Sequence, residues 1–347
     1  MRIEEFDENF KLETTLPEKD IVWLDARDEV FDLYGFYNPR TEDRFHRVPK
    51  EVYDNCNDGV RGLEGHTAGG RIRFKTDSPF IAIKAEYWLN HMPHMPLSGS
   101  SGFDIYMQKN GKFAYLHTVI PKPDDQNGFE RLINRTPEMT DYVINFPLYN
   151  NVKRLYLGFK KGCTVEHGEK YAIDKPIVYY GSSITQGGCA SRPGNQYQGF
   201  ISQRFNADFI NLGFSGSAKG EPALAKYIGS LEMSAFVYDY DYNSPSDEHY
   251  QDTHEAFFKK FREARPDTPV IIVTRPFPCN LKRIEIARKT YENAVAAGDK
   301  NVVFVDGRTL FGEEFKTCCT VDGCHPTDLG FYRMAGVIGD ALEKFLK

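Results

Sequence analysis

The stretch IVYYGSSITQG at residues 177–187 decides the fold. Four apolar or aromatic residues, Ile177 to Tyr180, run straight into a Gly-Ser turn at Gly181-Ser182-Ser183, and the chain then heads toward a helix near Asn195–Phe205. A short, wholly apolar run followed by a turn and a helix is the pattern of a strand buried on both faces. The same rhythm recurs at Asp208–Leu212 (DFINL), Ala235–Tyr240 (AFVYDY), Val270–Thr274 (VIIVT) and Val302–Val305 (VVFV). The intervals between these runs are long enough for crossover helices. His249–Arg265 places Phe257, Phe258 and Phe261 on one face, and Asp328–Lys347 reads as a final helix burying Met334, Val337, Ile338, Leu342 and Phe345. Strand–helix alternation of this kind predicts a parallel five-stranded sheet with helices on both faces, an α/β domain.

Upstream the period changes. Arg71–Lys75 (RIRFK), Phe80–Tyr87 (FIAIKAEY), Phe103–Gln108 (FDIYMQ), Phe113–Ile120 (FAYLHTVI), Tyr142–Phe146 (YVINF) and Arg154–Phe159 (RLYLGF) are short and rich in β-branched and aromatic residues. Several alternate apolar with polar, and KNGK at 109–112 has the composition of a type I′ hairpin turn. No amphipathic helix is expected before about residue 165. An antiparallel β-sandwich is the natural way to bury so many half-apolar strands. The polar linker GCTVEHGEKYAIDK at 162–175 sets the expected boundary, giving a β-sandwich domain at 1–168 and an α/β domain at 169–347.

The 347 residues are 41% hydrophobic and 27% charged, which excludes intrinsic disorder and leaves material for two cores. With 43 basic against 49 acidic side chains and no basic block, neither nucleic acid nor a membrane surface is an expected partner. No apolar run approaches the ~20 residues of a membrane span. The opening MRIEEFDENF is acidic and lacks the apolar centre of a secretory signal. Seven cysteines, with Cys318 and Cys319 adjacent and no CxxC, imply free thiols and a cytoplasmic location. The one H-x-x-H pair, His91 and His94, has Pro93 between its members and no carboxylate or cysteine beside it in the chain. No metal and no cofactor are therefore expected.

Four loops carry chemistry. Ser183 directly follows the first strand of the α/β half, and ligands in open parallel sheets sit beyond the carboxyl ends of strands. Taken alone, it reads first as a turn serine capping the next helix, because Gly-Ser turns are common. Near the carboxy terminus, Asp322-Gly323-Cys324-His325-Pro326 offers a base and an acid three residues apart, so one loop could present the imidazole while the carboxylate holds its Nδ1–H. That too could be a surface turn before the last helix, with Asp328 as its cap. After the second strand, Asn211-Leu212-Gly213-Phe214-Ser215-Gly216-Ser217 is a Gly-rich turn whose backbone can approach a substrate. After the third strand, Asp239-Tyr240-Asp241-Tyr242-Asn243-Ser244 places Asn243 at the same edge.

This set of four resembles the SGNH, or GDSL-type, hydrolase superfamily, whose blocks supply a Ser, a Gly, an Asn and a His. Gly181-Ser182-Ser183 matches the first block with Ser182 in the usual Asp position, and Gly216 within GFSG matches the second. Asn243 matches the third, in Asp-Tyr-Asn-Ser where Gly-x-Asn-Asp is common; Asn211 is the obvious confusion. Asp322 and His325 match the last. The chain is also similar to a two-domain branch with a Gly-x-Asp-Leu-Tyr signature. Here that signature stands as Val30-Phe31-Asp32-Leu33-Tyr34 without its first Gly, alongside Gly102–Tyr106 and Phe146-Pro147-Leu148-Tyr149. The resemblance implies a flavodoxin-like hydrolase domain preceded by a jelly-roll-like sandwich, with Ser183, Asp322 and His325 catalytic. It implies an oxyanion hole from Ser183, Gly216 and Asn243, and carbohydrate esters, above all acetyl esters, as substrates.

The aromatic loop around Tyr87, Trp88 and NHMPHMPLSGSSG is longer than a hairpin needs; it reads either as a segment folded over the cleft or, at least as readily, as aromatic packing between the two halves. Trp88, Arg192 and Arg275 are candidates for binding substrate, a small-molecule or oligosaccharide acyl ester, although structural ion pairs are the favoured reading of the two arginines. Three functions compete: an O-acyl carbohydrate esterase, a thioesterase or lysophospholipase, and a glycan-binding protein. The second would need a long apolar groove, and no expected helix exposes one. The third is disfavoured because every catalytic side chain is present. Interception of the acyl-enzyme by a hydroxyl, an acyltransferase outcome, stays open, as does the oligomeric state.

Overall fold

The computed structural model describes residues 12–346; the acidic opening stretch and Lys347 lie outside the described residues. The first half contains strands β1 (Ile21–Asp25), β2 (Asp32–Tyr34), β3 (Arg71–Thr76), β4 (Phe80–Tyr87), β5 (Phe103–Lys109), β6 (Lys112–Val119), β7 (Gly128–Asn134), β8 (Thr140–Asn145), β9 (Val152–Lys160) and β10 (Val165–Glu166). They form two antiparallel sheets, one ordered β1-β9-β4-β7 and the other β10-β3-β8-β5-β6 with β2 paired to β3. The alternation read from the sequence decides their inner faces. Ile81, Ile83 and Ala85 of β4 and Leu155, Leu157 and Phe159 of β9 share one core with Ile72, Phe74, Ile105 and Ile144 of the other sheet. The β5–β6 turn places both Asn110 (φ 54°) and Gly111 (φ 73°) in the left-handed region, as a type I′ turn demands.

The first half is not free of helix. It holds α1 (Lys50–Tyr53), α2 (Asp58–Leu63) and α3 (Leu97–Ser100). Helices this short present a single apolar turn and no stripe, so periodicity misses them. The first two bury Val52 and Val60, with Val48 and Cys56, in the core of the other half. Arg47, fully buried beside them, donates to the carbonyls of Gly213 (2.6 Å), Asn211 (3.2 Å) and Leu63 (2.6 Å). A second buried arginine, Arg71 on β3, pairs with Asp208.

The second half runs β11 (Ile173–Gly181), α4 (Ser183–Gln186), α5 (Tyr197–Phe205), β12 (Ala207–Gly213), α6 (Pro222–Ser230), β13 (Ala235–Asp239), α7 (Asp247–Ala264), β14 (Val270–Val273), α8 (Leu281–Ala296), β15 (Val302–Val305) and α9 (Asp328–Glu343). Its five strands are parallel in the order β12-β11-β13-β14-β15. Each expected apolar run lies in one of them, and β11 shows why those runs lack alternation. Val178 and Tyr180 face α6, α7 and α8, whereas Ile177 and Tyr179 face α5 and α9. The order reverses around β11, which opens a crevice between the carboxyl ends of β11 and β13. No helix among the described residues is long and apolar enough to cross a membrane.

Candidate active site

Strand β11 delivers Ser183 to that crevice. Gly181 closes the strand where a side chain would collide with the Asp239 carbonyl. Ser182 caps α4, its hydroxyl accepting the Ile184 N–H at 3.2 Å. Gly187 (φ 99°) ends the helix after one turn. Ser183 is thus the first residue of a short helix, 7% exposed. Its Oγ lies 2.9 Å from Nε2 of His325, and Nδ1 of His325 lies 2.7 Å from Oδ2 of Asp322.

The loop bearing Asp322 and His325 is closed on itself. Val321 N–H donates to the His325 carbonyl at 2.9 Å, and Gly323 (φ 82°) makes the turn. The other Asp322 oxygen accepts the backbone N–H groups of His325 (2.8 Å) and Cys324 (3.0 Å). Partial burial works against the Asp322 charge, but the His325 ring and these two N–H groups prevail and hold the carboxyl at about 2. Thr327, and not Asp328, caps α9. Asp328 instead accepts from Ser191 N–H (2.9 Å) and the Asn195 amide (2.7 Å), tying loop 188–195 to α9.

Gly216 and Asn243 sit on the loops leaving the two strands that flank β11, since Gly181 is level with both Gly213 and Asp239. Gly216 adopts φ 68°, with nothing within 4 Å of where a side chain would begin. The two candidate asparagines differ sharply. Asn211 is fully buried and engaged, donating to Thr185 O and Gln196 Oε1 (both 2.7 Å) and accepting from Gly213 N–H (2.8 Å). Asn243 has a buried Oδ1 with no hydrogen-bond partner among the described residues.

Sequence reasoning missed the residues that brace this site. Gln186, three residues after Ser183, accepts the Ser215 N–H (2.9 Å) and donates to Leu148 O and His66 Nδ1 (both 3.1 Å). It thereby pins the Gly216 turn to the serine helix. Burial, helped by the Arg47 charge, pushes His66 down to about 3, so its ring is neutral and can accept. Tyr149 donates to the Ser183 carbonyl at 3.1 Å. Leu148 and Tyr149 belong to the Phe146–Tyr149 stretch of the first half, a signal that was visible but without an assigned role.

The three residues proposed for substrate binding fare differently. Arg275 is tied to buried Asp241 through Nε and Nη2 (both 2.9 Å), so it shapes the loop of Asn243. Arg192 lies 3.5 Å from Asp104 and stacks over Tyr115. Trp88 is 68% exposed with Lys153 over its ring, at the rim of a cleft of about 450 Å³ shared with Arg44, His66, Asn90 and Tyr149. The aromatic loop does reach the second half: the His94 ring lies 5.3 Å from the His325 ring, and Ser98 donates to the Ser191 carbonyl at 2.6 Å.

The pairing of His91 with His94 considered from the sequence does not describe this loop. One ligand atom each of His94, Cys189 and His325 lie within 4.8 Å of one another, a grouping that chain neighbours could not reveal. Glu42, Asp43 and buried His46 form a second such group.

Residues 174–344 match the GDSL-like Lipase/Acylhydrolase family, and residues 21–165 match the N-terminus of Esterase_SGNH_hydro-type. Among solved structures, the chain is similar to a GDSL-like lipase from Bacteroides ovatus, with 30% identity over 94% of this chain and 98% of that one and a TM-score of 0.85. The salicylyl-acyltransferase SsfX3 of a tetracycline biosynthetic pathway shares 20% identity over 94% and 98%, with a TM-score of 0.78. A family two carbohydrate esterase from Clostridium thermocellum, solved with cellohexaose, shares 12% over 80% and 93%, with a TM-score of 0.61. No curated protein matches.

Proposed function

From the premise that this chain belongs to the GDSL-like lipase/acylhydrolase family, in its two-domain branch, and is an SGNH-type carboxylic ester hydrolase, we propose a metal-independent serine esterase acting on O-acetyl or similar small acyl esters of carbohydrates. The observation that carries the reading is the hydrogen-bonded line from Asp322 through His325 to Ser183 at the end of β11. His325 takes the Ser183 proton as Oγ attacks the ester carbonyl. Asp322 fixes the His325 tautomer and stabilises the imidazolium. The Ser183 and Gly216 backbone N–H groups and the Asn243 side-chain N–H donate to the oxyanion, each such donor contributing about 3 kcal/mol. His325 returns its proton to the leaving sugar hydroxyl, and water activated by the same ring then releases the acid.

The substrate class rests on the cleft lined by Trp88, whose walls include Tyr149 and His66, two residues that bond to the serine helix. An exposed Trp88 offers a flat face to a sugar ring, and Asn90, Arg44 and Lys153 around it suit hydroxyls better than a long acyl chain. We assign the β-sheet half, 1–168, to substrate contact and to bracing, and 169–347 to the hydrolase chemistry. The free thiols of all seven cysteines fit a reducing, cytoplasmic setting.

The test is hydrolysis of 4-nitrophenyl acetate, butyrate and octanoate in the presence of EDTA. Turnover is expected to fall with chain length, to be insensitive to EDTA, and to drop by about 10⁴-fold or more in Ser183→Ala. A preference for octanoate would favour a lipid or thioester hydrolase. A Ser183→Ala protein that kept full activity would overturn the mechanism.

A further inference from the structure

The grouping of His94, Cys189 and His325 is used by no step of the esterase mechanism except through His325. The three residues come from three loops: the aromatic loop of the first half, the loop after α4, and the turn before α9. Their proximity is held firmly. The Cys189 thiol donates to the His94 carbonyl at 3.2 Å. Ser191, two residues on, accepts from Ser98 at 2.6 Å and donates its N–H to Asp328 at 2.9 Å. Cys189 itself has φ 73°, a conformation that a residue with a side chain rarely adopts. The loop therefore keeps a strained backbone with its sulfur within 4.8 Å of two imidazole nitrogens.

We propose that His94, Cys189 and His325 form a binding site for a thiophilic divalent cation of the zinc type, and that its occupation reversibly switches the esterase off. Two imidazoles and a sulfur are the donor set of zinc and its softer relatives, whereas magnesium and calcium require oxygen ligands. Because Nδ1 of His325 is held by Asp322, the nitrogen left for an ion is Nε2, the atom that faces Ser183. Asp322 then stands behind a ligating histidine as a carboxylate commonly does at such sites. Cys189 binds as thiolate; burial pushes its thiol up to about 12, so the incoming cation must displace the proton to solvent. An ion on Nε2 occupies the lone pair that would accept the Ser183 proton. The inhibitory consequence rests on the reading of His325 as the base; the site itself does not.

Two readouts test this on the full chain. Zinc titrated into the 4-nitrophenyl acetate assay is expected to inhibit, with recovery on adding EDTA. The half-inhibiting concentration should rise at least about tenfold in Cys189→Ser and in His94→Ala, each referred to its own zinc-free rate. Independently of turnover, cobalt(II) should give a thiolate charge-transfer band in the near ultraviolet that Cys189→Ser abolishes and Cys324→Ser keeps. Zinc inhibition unchanged in both variants, or a cobalt band that survives Cys189→Ser, would overturn the proposal. A protein silent toward esters that still shows the Cys189-dependent band would sustain the metal site and sink the esterase reading instead.

Discussion

At the scale of single residues, Asp322 has the most to explain, because it bonds the ring of His325 and also two backbone N–H groups of its own turn. Asp322→Asn keeps the shape of the loop but loses the charge that stabilises the imidazolium. Its kcat is expected to fall by about 10³- to 10⁴-fold with little change in KM. The same substitution has a signature in stability. The folded carboxyl sits at about 2, below its ordinary 3.8, so its contribution is fully present above that ordinary value and is lost as pH falls through about 2. The gap in Tm between wild type and Asp322→Asn should be complete at pH 5 and close toward pH 2; a gap independent of pH would contradict the charge argument. Asp322 and His325 were legible as a pair because they stand three residues apart, whereas Ser183, 142 residues before His325, was legible from its place at the end of a strand. Hydrogen bonding separates Asn243 from Asn211: Asn211 lies within β12 with its amide fully engaged, whereas Asn243 follows β13 and its Oδ1 has no partner among the described residues.

At the scale of elements, the one-turn helix α4 is where the two halves meet the chemistry. Its last residue, Gln186, holds the Ser215 N–H, a first-half carbonyl and His66 at once. Gln186→Leu leaves the Ser215 N–H without its acceptor, which costs about 1–3 kcal/mol where the group is shielded from water. The Gly216 turn is freed to drift, and misplacement of an oxyanion donor by a fraction of an ångström lowers kcat about 10- to 100-fold. Kinetics with 4-nitrophenyl acetate should therefore show kcat falling more than KM rises, together with a lower Tm. An unchanged kcat at reduced Tm would make Gln186 purely structural. The long elements were legible because burial imposes a period on them, 2 in the sheets of the first half and 3.6 in α7 and α9. Helices α1 and α2 carry one buried valine each, Val52 and Val60, and one residue sets no period.

For the whole molecule, the division at the 162–175 linker describes connectivity better than packing. Val48, Val52, Cys56 and Val60 precede most of the β-sheet half in sequence, yet they lie in the core of the α/β half, and nothing in a local pattern says which core a valine will join. Arg47 concentrates this coupling. Its guanidinium is buried, stacks over Phe214 at 4.6 Å, and donates to carbonyls from both halves. Burial draws it down to about 10, so it remains charged at neutral pH and needs each of those acceptors. With Arg71 and Asp208 forming a second buried link, the halves should unfold together. Both tryptophans, Trp23 and Trp88, lie in the first half, so their fluorescence originates there, while esterase activity requires the Ser183–His325 pair of the second. In a urea titration the two signals are expected to share one midpoint. Arg47→Met, which strips charged donors from at least two buried carbonyls, should move both midpoints down together by the equivalent of about 3 kcal/mol. Activity lost at a lower urea concentration than fluorescence, with only the activity midpoint moved by Arg47→Met, would mean that the β-sheet half stands alone and merely rests on the hydrolase.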